Sequence, residues 1–172
     1  MHSVLVAVFV LLMLLPASAQ RPRVSPHETH DFLIDGSKIT IEYGRPSKKG
    51  RVIWGGLVPW GRWWMPGADE TTTLRTPDVL VIGGLTVPAG EHTLYMWPDR
   101  QASQLIINNR TGTFHTFYDA RSDLGRVDFP WTALSEPVEQ MTLTIERREG
   151  GGGTLKLLWD DREYSTPLTV KR

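Results

Sequence analysis

Cysteine is absent from the 172-residue sequence. No disulfide can then brace the chain, no thiol can serve as a nucleophile, no blue-copper ligand set can form and no cysteine can carry a lipid anchor, so the fold must be held by packing. Net charge is also missing, since 19 basic residues cancel 19 acidic ones. Without a field of one sign, nucleic acid and anionic membranes are not expected partners. Long apolar runs are scarce too. The only one, Val4 to Leu15, is shorter than the roughly 20 residues that a helix needs to cross a bilayer core, so stable membrane insertion is not expected. It is followed by Pro16-Ala17-Ser18-Ala19, small residues in the arrangement of a signal peptidase site. The reading is a signal peptide over residues 1–19, despite a leading segment without lysine or arginine, then a single domain over 20–172 that is exported to the periplasm or secreted. A domain of that size can bury roughly 68–70% of its unfolded surface. Helical periodicity is lacking as well, the best candidate being a turn or two around Tyr118 to Leu124.

What is present is alternation. In Lys38-Ile39-Thr40-Ile41-Glu42-Tyr43 the apolar residues share one face, the pattern of a strand with one buried side. Gln104 to Asn108, Met141 to Glu146 and Leu155 to Trp159 repeat it. Turn residues at Gly83-Gly84, Pro88-Ala89-Gly90, Gly150 to Gly153 and Asp160-Asp161 separate such segments. Val79 to Ile82, Thr86 to Val87 and His92 to Trp97 read as short strands. Glu139 to Arg147, Thr154 to Trp159 and Glu163 to Val170 read as a three-stranded meander, with Pro167 marking an edge. Arg21 to His30 reads as an extended arm. The expected fold is all-β, an antiparallel β-sandwich of jelly-roll or immunoglobulin-like type with at most one short helix.

The alternation stops between Tyr43 and Thr73, where four of the seven tryptophans and six glycines lie. A long segment without a period is usually functional or disordered, and its aromatic content argues against disorder. Tyr43-Gly44-Arg45-Pro46, Gly50-Arg51, Trp54-Gly55-Gly56-Leu57-Val58-Pro59, Gly67-Ala68-Asp69-Glu70, Val87-Pro88-Ala89-Gly90 and Asp123-Leu124-Gly125-Arg126-Val127 together resemble domain-of-unknown-function family 2911, a group of bacterial exported proteins. The resemblance runs over most of the chain after the signal peptide. It implies a shared fold and a set of important positions, and no reaction, because the family has no established activity. Two positions depart from the common pattern of the family: Met65 stands where arginine is typical, and Asp69 where asparagine is typical.

Planar aromatic faces beside charged donors and acceptors are what recognition of a sugar or aromatic ring requires. The ligand-binding candidates are Arg45, Arg51, Trp60, Arg62, Trp64, Asp69 and Glu70, with His115 and Arg126 from outside the loop. The bland alternative has the tryptophans plugging one end of the sandwich while the arginines pair with Asp69 and Glu70. Adjacent Asp69 and Glu70 suggest an acid and a base, but strand neighbours point to opposite faces, and hydrolysis needs two carboxylates at a set separation. His27, His92, His115 and Met65 are the candidates for a copper or zinc site. No Gly-x-Ser-x-Gly elbow occurs, and the glycine pairs precede no helix that could cradle phosphate. No cofactor is indicated. The reading favoured is a non-catalytic exported module binding a small polar or glycan-like ligand, an envelope component or a partner protein. An enzyme acting on an envelope substrate and a metal-binding protein are the alternatives.

Overall fold

The computed structural model describes residues 23–171; the expected signal peptide, residues 1–19, lies outside them. The described chain forms strands β1 (His27–Ile34), β2 (Ser37–Gly44), β3 (Thr73–Thr76), β4 (Leu80–Ile82), β5 (Leu85–Val87), β6 (Gly90–Trp97), β7 (Gln104–Asn108), β8 (Asp123–Asp128), β9 (Trp131–Arg147) and β10 (Gly153–Val170). A six-stranded sheet has the order β1-β2-β3-β6-β7-β8 and a four-stranded sheet the order β5-β4-β10-β9. All strand pairs are antiparallel. The chain is therefore an antiparallel β-sandwich, as its alternation predicts. Among the described residues the only helical turn is a 3-10 turn at Ala120–Ser122, within the segment read as helical. Asp119 caps it by accepting a hydrogen bond from Arg121 N.

The core lies between the sheets. Ile39, Ile41 and Tyr43 of β2 meet Met141, Leu143 and Ile145 of β9 and Leu155, Leu157 and Trp159 of β10 in one buried cluster. Tyr43 spans the two layers, its hydroxyl accepting a hydrogen bond from Leu143 N at 3.0 Å. Each large apolar side chain so buried contributes about 1.5–3 kcal/mol, and no disulfide adds to it.

Strands β6 and β7 are buried on both faces. Leu94, Met96, Leu105 and Ile107 enter the main core. Tyr95 and Ile106, pointing the other way, lie under a second apolar cluster with Met65, Trp63, Trp97 and Tyr118. This outer cluster positions the candidate site.

The carboxy-terminal region differs from the expected meander of three strands. Thr154 to Trp159 and Glu163 to Val170 are one continuous strand, β10, paired along β9 with register shifts at Asp160. Asp160 has φ 53°, and its carboxylate pairs with Lys48. Aspartate tolerates the left-handed backbone that serves either a turn or a bulge, so Asp160-Asp161 makes a bulge where the sequence suggests a reversal. Pro167 lies past the last β9 pair, Trp131 with Tyr164, and only its β4 side is flanked. There its carbonyl accepts from Gly83 N at 2.8 Å. The expected arm is also shorter than predicted, because His27 to His30 already belong to β1.

Candidate functional site

Between β2 and β3, residues 45–72 contain no regular strand, only isolated bridges. The first part covers the edge of β9: Lys48 N donates to Glu139 O, and Met141 N donates to Pro46 O. Covering an exposed strand edge prevents it from pairing with another chain. Arg45 fastens this segment, with Nη1 on both oxygens of Glu28, Nε on Met141 O and Nη2 on Thr142 Oγ1. Burial alone would raise the Glu28 carboxyl, but hydrogen bonds from His30 and Arg45 hold it below its ordinary value. Arg51 closes the next turn by donating to the carbonyls of Ser47 and Lys48.

The loop then turns inward. Ile53 and Val58 are fully buried, and Val58 N and Gly56 N both donate to Ile53 O. Gly55 has φ 84°, and a side chain there would lie 2.5 Å from Trp60 Nε1, so only glycine admits the Trp60 ring. Trp60 stacks on Trp54 with centroids 6.4 Å apart, and the Arg162 guanidinium sits 5.0 Å from its centroid. Its ring is thereby engaged within the loop and against β10.

Further along, Trp64 exchanges backbone hydrogen bonds with Met96 of β6, each 2.8 Å. That pairing imposes strand-like alternation. Trp64 turns toward the main core, stacked on Trp159 at 6.1 Å, while Trp63 and Met65 join the outer cluster. Trp63 packs 6.1 Å from Tyr95 and 5.3 Å from Tyr118. Thr72 N donates to Met65 Sδ at 3.3 Å.

The result is a cleft of about 460 Å³, a volume within the usual range for small-molecule sites. Leu57, Pro59, Trp63 and Trp64 supply its apolar lining, Arg62, His115 and Thr116 its polar groups, and Met65 and Gly67 complete the wall. Arg62 is exposed and makes no hydrogen bond or ion pair with the described residues. His115 is held from behind: its backbone N–H and its Nδ1 both approach Asp69 O, at 3.1 and 2.8 Å. A carbonyl oxygen only accepts, so Nδ1 carries the proton and Nε2 is left as the open hydrogen-bonding position. Asp69 reaches this arrangement through φ 66°, a left-handed conformation that aspartate and asparagine tolerate better than other side chains.

Of the sequence candidates, Arg62, Trp64 and His115 therefore share the cleft, and Asp69 supports it through its backbone. Trp60, Arg45 and Arg51 serve the loop itself. Glu70 pairs with Arg23 at 2.6 Å, and that hydrogen bond, against the opposing effect of burial, holds its carboxyl low. Asp69 and Glu70 do not form a carboxylate pair in the cleft. Arg126 lies over Trp97 at 5.3 Å and donates to Asp123 and to the Tyr118 hydroxyl. Tyr118 in turn donates to Asp123 Oδ2 at 2.6 Å. Burial first, then that carboxylate, pushes the Tyr118 phenol up to about 12.

The four metal candidates are distributed over three places. His27 Nε2 lies 2.9 Å from Glu42. His92 sits between Pro88 O and Asn109 Oδ1. Only His115 and Met65 share the cleft wall. Among the described residues no group of three or more histidine, aspartate or glutamate side chains could hold a metal ion.

Leu57, Pro59 and Thr116 were not among the candidates read from the sequence, and Trp63 was one of the four loop tryptophans but not a named ligand-binding candidate. The signal for Trp63 is the short alternation Trp63-Trp64-Met65, hidden inside a segment with no longer period.

Fold and site together define an all-β sandwich with an aromatic-lined cleft built largely from the loop between β2 and β3. The chain belongs to the family described as Protein of unknown function (DUF2911), which matches residues 25–168. No curated protein and no solved structure matches it. Among the described residues no helix is long and apolar enough to cross a membrane.

Proposed function

We propose that this chain is an exported, non-catalytic binding module whose cleft receives a small polar ligand carrying a ring. One observation carries the reading: Trp63 and Trp64 line the same cleft as an arginine without an internal partner and a histidine whose second nitrogen is open. Indole surface takes up the apolar face of a ring, while Arg62 and His115 meet its polar substituents. Export is supported by the Val4 to Leu15 run and the Ala17-Ser18-Ala19 site; an exported module would meet its ligand in the envelope or outside the cell.

An acid–base enzyme would need two titratable groups within hydrogen-bond reach in the cleft. Among the described residues His115 and Arg62 are the titratable ones lining it, and an arginine side chain is not a proton-transfer group at any working pH. The binding reading therefore accounts for the site better than a hydrolytic one. Thermal-shift measurements of the purified protein against mono- and disaccharides, sugar acids and hydroxylated aromatics test it, because a ligand of the native state raises the melting temperature. A rise for at least one ring compound that is lost in Trp63→Ala is expected. A ligand whose effect survives Trp63→Ala unchanged places binding elsewhere.

A further inference from the structure

We infer that the cleft selects an anionic ligand, a hydroxylated six-membered ring bearing a carboxylate. This rests on the binding reading and narrows it to a chemical class. The three arginines of the 45–72 loop are in different states. Arg45 is spent on Glu28, Met141 O and Thr142, and Arg51 on two carbonyls. Arg62 faces the cleft with its donors untaken.

Among the described residues no carboxylate lines the cleft, and Arg62 brings it a positive charge. An exposed guanidinium that lines a partly apolar cleft is matched best by a planar carboxylate that accepts two parallel N–H bonds. The second polar position is His115. With Nδ1–H given to Asp69 O, Nε2 is the open hydrogen-bonding position of His115, which suits a hydroxyl. Trp63 and Trp64 line the same cleft and supply apolar surface for the ring. Carboxylate, hydroxyl and ring face together describe a hexuronate or a hydroxybenzoate. The two share the recognition chemistry and differ in whether the ring is saturated.

Calorimetric titration separates the cases, with galacturonate and 4-hydroxybenzoate as acidic probes and galactose and phenol as their neutral counterparts. At least one acid is expected to bind about tenfold or more tightly than its neutral counterpart. Arg62→Ala should remove that difference, Arg62→Lys should restore only part of it, and added salt should weaken the acid selectively. Arg62 is exposed and unbonded among the described residues, so an unchanged melting temperature in Arg62→Ala confirms that its fold is intact. Equal binding of acid and neutral ring, with both weakened by Trp63→Ala, overturns the anionic preference and leaves the cleft reading standing. Binding of none of the four probes, or binding indifferent to Trp63→Ala, overturns the inference and removes the support for the cleft reading.

Discussion

Asp69 illustrates how a backbone angle can matter more than a charge. Its carboxylate attracts attention in the sequence, yet its carbonyl is what holds both the main chain and the ring of His115. The left-handed φ of 66° is what the position demands, and the asparagine typical of the resembled family would meet the same demand. Asp69→Asn should therefore be nearly neutral, whereas Asp69→Val should cost about 1–3 kcal/mol in urea unfolding and weaken binding in the cleft. Equal stability of the two variants would refute this role. The arginines teach a related lesson. Arg45, Arg62 and Arg126 look equivalent in sequence, but whether a guanidinium is free depends on partners such as Glu28 that only the folded chain brings alongside. The same holds for the tryptophans, where Arg162 and Trp54 occupy Trp60 while Trp63 reaches the cleft.

Among the elements, β2 and the loop after it depend on one close approach and one clamp. Gly44 ends β2 where a side chain would overlap the backbone oxygen of Ala68. Gly44→Ala should displace the Gly67 to Glu70 segment, costing about 1–3 kcal/mol and abolishing binding; an unchanged melting temperature would count against that packing. The clamp is Glu28–Arg45, and its pH dependence has a definite sign. Because the folded carboxyl of Glu28 lies below its ordinary value of 4.5, the unfolded chain takes up the proton first as pH falls. Its stabilisation is complete above that ordinary value and is lost as pH falls through the folded one. Melting temperatures recorded from about pH 6 to pH 3 should fall less steeply for Glu28→Gln than for the unaltered protein, and parallel profiles would contradict the assignment. Strands with one wet face, such as β2, were legible from alternation. The continuity of β10 was not, since a bulge and a turn use the same aspartate chemistry at Asp160.

For the whole molecule, the missing cysteines leave stability to the packed layers. Trp159 is fully buried and stacks on Trp64, so it joins the core to the wall of the cleft. Trp159→Ala should cost about 3–5 kcal/mol by chemical denaturation, and a cost below about 1 kcal/mol would show that the core closes without it. The sandwich class followed from many short alternating segments. The second apolar cluster did not, because the two-sided burial of Tyr95 and Ile106 comes from a distant loop folding back onto β6 and β7. That cluster carries Trp63, and with it the central claim that the cleft receives a ring-bearing ligand. Following the indole N–H resonances of the seven tryptophans by NMR during titration with galacturonate or 4-hydroxybenzoate tests the claim directly. Shifts concentrated on Trp63 and Trp64, with Trp159 and Trp131 little changed, are predicted; shifts centred on other tryptophans, or none at saturating ligand, would contradict it.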